Sequence, residues 1–355
     1  LLVISDGIRE FSTAFLRGKE KMEWEAFITI TMNIAIVVAG FIILKISPTS
    51  KALLFSYIAS VAFSALLSIF VLRKQFINIY YFNKNLALKI INTCWPIAFL
   101  SMLGVFMFNT DMIMLGWWRT AEEIGFYSAG QRIIGVLYTL PGLLASATFP
   151  TISRFIKNNE REKERVLNEK SMTILLSVTI PLVIGGIVLG RPIIELLFGK
   201  EYLPGALTFQ ILLLTLLLMF PGILLGNLVL GHNQQKKIVG YMAAGSLGNI
   251  VFNTLLIPTY GIVGSAIATF IAFFLYFGLM WRYIKKVSNF QTLRYLKKIF
   301  FASILMGILS FVLNKIGLNV IINIIVSAAF YFCVLYLLKE KILEEIKTLF
   351  KAARG

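Results

Sequence analysis

The sequence predicts an all-α integral membrane protein of about ten complete transmembrane helices plus a partial first one. Three observations carry that prediction. Of 355 residues, 58% are hydrophobic and only 14% charged, and the mean hydropathy is +0.83. A soluble domain is nearer half apolar and about a quarter charged. The apolar residues also form continuous stretches of helix-spanning length rather than the short alternating segments of a barrel, the other structure that satisfies its backbone in lipid. Finally, lysine and arginine alternate between the loops.

Residues 1–16 resemble the end of a spanning helix, so the start at Leu1 suggests a truncation or an incomplete gene model. Complete spans follow at 26–46, 52–72, 92–118, 124–150, 171–190, 205–230, 238–257, 260–281, 299–314 and 319–338. The loops at 16–25, 73–91, 151–170, 231–237, 282–298 and 339–355 hold 26 Lys and Arg, whereas those on the opposite side hold 6. One misplaced span would scramble that alternation. By the positive-inside rule, the basic loops and the carboxy terminus are cytoplasmic, in a multi-pass protein of the cell membrane. The formal charge of +17 therefore lies in loops, and no nucleic-acid-binding face is expected.

The outer loops are short, the longest running from Arg191 to Pro204, which leaves no room for an external catalytic domain. Inside, the 151–170 loop is the longest polar stretch and is expected as a solvated connector. The stretches at 73–84 and 282–298 mix aromatic with basic residues, which suits the anionic headgroup layer. Cys94 and Cys333 lie in apolar stretches, which argues against a disulfide framework. His232 is the single histidine, and there is no GxxxxGK[ST] loop and no Ser/His/Asp set. The sequence calls for no metal, no cofactor and no enzymatic activity.

Charges inside spans are costly and each marks a candidate function. Asp6, Arg9, Glu10, Thr13 and Arg17 follow helical spacing and stack along one face. That stripe either faces a water-filled cavity or is the cytoplasmic end of its helix. Asp111 and Arg132 lie at similar distances from an outer turn near residue 121, so antiparallel neighbours bring them to one depth. Either they form an intramembrane ion pair, or Arg132 holds an anionic substrate group while Asp111 responds to a proton or cation. Pro96, Pro141, Pro181 and Pro221 are candidate hinges, because proline interrupts helical hydrogen bonding.

Five stretches then occur in one order along the chain: FLRGKEKMEWEAF (15–27), FNTDMIMLGWWRTAEEIGFYSAGQRI (108–133), LPGLLASATFPTISR (140–154), RPIIELLFGKEYLPGA (191–206) and GNIVFNTLLIPTYGIVGSAIATFIAF (248–273). The last carries Asn249, Asn253, Pro258, Gly261 and Gly264. In these the chain resembles the polysaccharide-repeat flippases of the multidrug/oligosaccharidyl-lipid/polysaccharide exporter superfamily. The resemblance implies two helical lobes around a cavity. Residues 1–72 would be the remnant of an amino-terminally truncated first lobe, 92–285 the second, 296–338 an accessory helix pair and 339–355 a cytoplasmic tail. It further implies movement of a polyprenyl-pyrophosphate-linked oligosaccharide from the inner to the outer leaflet, with the lipid bilayer and glycan polymerisation machinery as partners. The alternatives are a cation-coupled drug exporter of the same superfamily and a membrane enzyme acting on lipid-linked sugars.

Overall fold

A computed structural model of the chain describes residues 1–19, 21–76, 84–288, 290 and 296–338. The segments expected in the headgroup layer fall partly outside the described residues, and the tail at 339–355 falls wholly outside them. The helices are α1 (Leu2–Gly18), α2 (Met22–Ile46), α3 (Ser50–Phe76), α4 (Lys84–Trp118), α5 (Ala121–Leu137), α6 (Leu140–Lys157), α7 (Arg161–Val188), α8 (Gly190–Phe198), α9 (Ala206–Leu214), α10 (Leu216–Gly231), α11 (Gln235–Ser288), α12 (Leu296–Lys315) and α13 (Val320–Leu337). A 3-10 turn, Lys200–Gly205, precedes α9, and no strand occurs among the described residues. Nine helical runs there are long and apolar enough to cross a membrane. One of them, α11, is two helices folded at Gly261, so the ten expected passes are present.

The chain forms two compact units, Leu1–Asn92 and Thr93–Gly355. In the first, α1, α2 and α3 pack together, with Leu16, Ile28 and Leu72 forming a small buried cluster. The polarity of α1 is inverted relative to a soluble helix: Ser5, Arg9, Ser12 and Thr13 are buried, while Ile4 and Phe11 are more than 60% exposed. That inversion suits a helix whose outer side meets hydrocarbon, where apolar side chains need no protein cover. On α3, Ser60, Ser64 and Ser68 recur at helical spacing and are buried, and small residues of this kind let membrane helices approach closely.

The second unit is built on a core that includes Tyr127, Phe209, Phe220 and Phe273, each fully buried. Two of its passes are broken. The span expected at 124–150 divides at Tyr138–Thr139, because Pro141 cannot donate to the Leu137 carbonyl and its ring crowds that turn. The span at 205–230 divides at Thr215, whose hydroxyl lies against the Leu212 carbonyl. These two breaks touch, with Tyr138 Oη and Thr215 Oγ1 2.6 Å apart. Pro141 therefore begins α6, a favourable position for proline, whereas Pro96, Pro181 and Pro221 lie within unbroken helices. Helices α12 and α13 pack on each other, α12 also packs on α7, and Tyr331 Oη donates to the Ser177 carbonyl at 2.6 Å.

The polar 151–170 stretch is not the solvated connector expected from sequence. Only residues 158–160 link α6 to α7, and the remainder extends α7 as helix. Glu164 and Asn168 are 3% exposed, because the start of α7 and the ends of α10 and α11 meet there. Glu164 Oε1 accepts from Ser288 Oγ at 2.7 Å and lies 3.0 Å from His232 Nε2.

Candidate functional site

The described residues contain one buried carboxylate deep within the spans of the second unit, that of Asp111, which is 1% exposed. It lies on α4, and its partners come from two neighbouring elements. Tyr127 of α5 donates its hydroxyl to Oδ2 at 2.8 Å, and Thr269 of α11 donates to the same oxygen at 2.6 Å. Asn249 and Asn253 donate their amides to Oδ1 at 3.1 and 2.9 Å.

Helical spacing explains why these residues converge. Asn249 and Asn253 are one turn apart on the first arm of α11, residues 235–260, and Ser265 and Thr269 are one turn apart on the second arm, 262–288. The chain reverses at Gly261, whose φ of 58° is the left-handed conformation that glycine adopts without penalty. A Cβ on Gly264 would lie 2.2 Å from the Leu256 carbonyl oxygen, so only glycine lets the arms come this close. Ser265 then donates to Asn253 Oδ1 at 3.0 Å across the arms, and Asn253 Nδ2 also reaches Asn249 Oδ1 at 3.0 Å. Each amide is thereby held with its N–H groups aimed at Asp111.

The two carboxylate oxygens face different chemistry. Oδ1 meets amide nitrogens, which donate but cannot accept. Oδ2 meets two hydroxyls, which can do either, and Thr269 has the Ser265 carbonyl as a second acceptor at 3.0 Å. A proton is accommodated only on Oδ2, after a hydroxyl rotates to accept from it. On that side the carboxylate and hydroxyl oxygens also suit a small hard cation. No group of three or more His, Cys, Asp or Glu able to hold a metal ion occurs among the described residues.

The structure separates the residues expected to meet Asp111. Arg132 is exposed, and Asp111 is bonded to neutral donors instead, so the expected Asp111–Arg132 ion pair is not formed. The reason is helical phase. Tyr127 faces Asp111, and Arg132 lies five residues further along α5, about 140° around the helix. In the first unit, Arg9 is buried and bonded to Asp6 at 2.7 Å and Glu10 at 2.5 Å, while Thr13 Oγ1 donates back to the Glu10 carbonyl. Arg17 is exposed and pairs with Glu25 of α2.

Sequence reasoning missed Tyr127, Asn249, Asn253 and Thr269 as partners of Asp111, because only charges were matched for depth. The signal was present: Asn249 and Asn253 share one face of an apolar span, 12 and 8 residues before the turn at Gly261. Asp111 lies 9 residues before the turn at Thr120.

Comparison with known proteins agrees with this architecture. A family model described as "Polysaccharide biosynthesis protein" matches residues 1–206. The chain is 22% identical over 273 residues to the "Probable low-salt glycan biosynthesis flippase Agl15" of Haloferax volcanii, covering 77% of this chain and 57% of that protein. It is 25% identical over 280 residues to the "Capsular polysaccharide biosynthesis protein CapF" of Staphylococcus aureus, covering 77% of this chain and 70% of that one. The fold is similar to that of "Lipid II flippase MurJ, inward closed conformation", with a TM-score of 0.77 at 19% identity, over 95% of this chain and 72% of the other.

Proposed function

This chain belongs to the polysaccharide biosynthesis protein family, and from that membership we propose that it carries a polyprenyl-pyrophosphate-linked oligosaccharide repeat unit from the inner to the outer leaflet of the cell membrane. The observation that carries this proposal is a buried, neutral-donor-ringed carboxylate inside a multi-pass bundle whose fold is similar to that of a lipid II flippase. Transport proceeds without bond making or breaking, so the protein is not an enzyme. The domains follow the sequence assignment: 1–72 in the first lobe, 92–285 the second, 296–338 an accessory pair and 339–355 a tail on the cytoplasmic side.

In this scheme the sugar crosses along a hydrated path that is exposed to each side of the membrane in turn. Arg9 in the first unit and Arg132 in the second are each candidates to hold the pyrophosphate, for which a planar fork of donors is well suited. Arg9 is shared with Asp6 and Glu10 at rest, so substrate competes for it with two carboxylates. Pro96, Pro141, Pro181 and Pro221 are the candidate hinges, with Pro141 already next to a helix break. Asp111 changes its charge state during the cycle by taking a proton or cation on its hydroxyl-facing side. An inside-negative potential assists export of negative charge by about 2.3 kcal/mol per charge per 100 mV. The glycan polymerisation machinery would receive the product on the outer face.

The test is leaflet accessibility of lipid-linked oligosaccharide in vesicles made with the full-length protein. Transfer above that of empty vesicles is expected, and equal transfer would refute the proposal. A buried acid within the spans also suits a cation-coupled drug exporter of the same superfamily. Uptake of a lipophilic cation by the same vesicles, with no movement of the oligosaccharide, would favour that reading.

A further inference from the structure

Arg119 is one of the few basic residues in the outer loops, against the Lys and Arg bias of the chain. It follows the last residue of α4, and its side chain is 24% exposed. Its guanidinium turns inward: Nη2 donates to the Ile257 carbonyl at 2.6 Å and the Pro258 carbonyl at 2.8 Å. Both oxygens belong to the last turn of the first arm of α11, where the chain leaves the helix at Gly261 and the carbonyls lose their helical donors. A cation at a helix carboxy terminus is favourably placed as well. The guanidinium lies over Gly261, since a Cβ there would be 3.4 Å from Arg119 Cζ. Glu123 steadies it from α5 at 3.8 Å, and Glu123 is itself fixed by a reciprocal capping bond with Thr120.

Arg119 is eight residues beyond Asp111 along the chain, and Ile257 is eight beyond Asn249 and four beyond Asn253. At about 1.5 Å per residue, the two attachments between α4 and the first arm are therefore spaced alike on both helices. The depth of that arm is fixed at its outer end. A slip of one turn, about 5.4 Å, would set Ile257 where Asn253 stands, or Gly245 where Asn249 stands. Either slip leaves Asp111 with one amide donor instead of two.

We propose that Arg119 is a positioning residue for the Asp111 cluster: by gripping the outer end of the first arm it holds Asn249 and Asn253, and through the Gly261 turn Thr269, level with the carboxylate. The functional part of this inference rests on Asp111 changing its charge state during transport. The register itself does not.

The test uses the full-length protein in lipid nanodiscs and vesicles, with Arg119→Gln, Arg119→Lys, Asp111→Asn and the Arg119→Gln/Asp111→Asn double variant. Backbone hydrogen exchange over residues 249–269 is expected to rise at least tenfold in Arg119→Gln and to be partly restored in Arg119→Lys, which keeps a charged donor. Flipping of lipid-linked oligosaccharide extracted from the source cells is expected to fall at least tenfold in Arg119→Gln, with no further fall in the double variant relative to Asp111→Asn. Unchanged exchange in Arg119→Gln overturns the proposal, and so do flipping losses that multiply in the double variant, since a residue acting on overall stability alone would give that pattern. Should Asp111→Asn flip normally, the role of Asp111 fails, and hydrogen exchange still decides whether Arg119 sets the register. If Arg119→Gln does not assemble, the lysine variant carries the exchange test, with intermediate exchange supporting the grip and wild-type exchange overturning it.

Discussion

Replacing Asp111 by asparagine and by alanine separates the charge of the carboxylate from its hydrogen-bonding shell. In Asp111→Ala both acceptor oxygens vanish. Thr269 retains the Ser265 carbonyl and Asn253 retains Asn249 Oδ1, each at 3.0 Å. The Tyr127 hydroxyl and the Asn249 amide lose the carboxylate bonds that satisfied them. Each stranded buried donor costs about 1–3 kcal/mol, so the alanine variant should lose roughly 2–6 kcal/mol. In Asp111→Asn the amide oxygen still accepts from Asn249 and Asn253, and only the Tyr127 proton is stranded. Removal of a charge from the membrane interior offsets both losses alike, by about 3 kcal/mol on the insertion scale. The alanine variant should therefore melt below the asparagine variant by the cost of one further stranded donor, the Asn249 amide, about 1–3 kcal/mol. Both should flip lipid-linked oligosaccharide at least tenfold more slowly, because neither can change charge. Thermal melting in detergent and leaflet accessibility in vesicles supply the two readouts. Equal melting of the two variants would refute the hydrogen-bond shell, and wild-type flipping by Asp111→Asn would refute the charge-state role.

Three further outcomes follow from individual contacts. Gly264→Ala places a methyl group 2.2 Å from the Leu256 carbonyl oxygen and should lower stability by about 1–3 kcal/mol in a detergent melt, whereas Gly278→Ala, with open space around it, should not. His232→Ala removes the ring beside Glu164 and leaves Ser288 as that oxygen's partner, so it should cost about 1–3 kcal/mol; His232→Gln, which keeps a donor, should recover much of it. Arg132→Gln should raise the apparent KM for lipid-linked oligosaccharide about tenfold or more while Arg132→Lys changes it less, and full transport at low substrate by the glutamine variant would remove Arg132 from pyrophosphate binding.

The architecture was legible in the sequence because lipid imposes length and charge rules that a single chain displays. Ten passes were countable, since each apolar stretch is bounded by polar residues and the basic loops alternate. The internal breaks at Tyr138–Thr139 and Thr215 were not, because hydropathy is blind to a helix that bends without leaving the membrane. Asp111 was legible as a costly charge. Its shell was not, because a tyrosine, two asparagines and a threonine are individually unremarkable in a span and matter only through the rotation and depth of three helices. The same phase argument explains Arg132: distance from the turn set its height, but not the side of the helix on which it emerges.

The contact between Tyr138 and Thr215 has a mechanical consequence. Each hydroxyl lies at the joint of a jointed rod, and the joints are pinned to one another. Two rods that could flex independently thus share one degree of freedom while the pin holds. Thr215 already gives its proton to the Leu212 carbonyl, so Tyr138 is the donor in the pin, and withdrawing it costs about 1–3 kcal/mol unless the Tyr138 hydroxyl finds another acceptor. A pin of that strength lets the pair behave as one stiff lever in one half of a cycle and, where a new acceptor is offered, as two separate ones in the other.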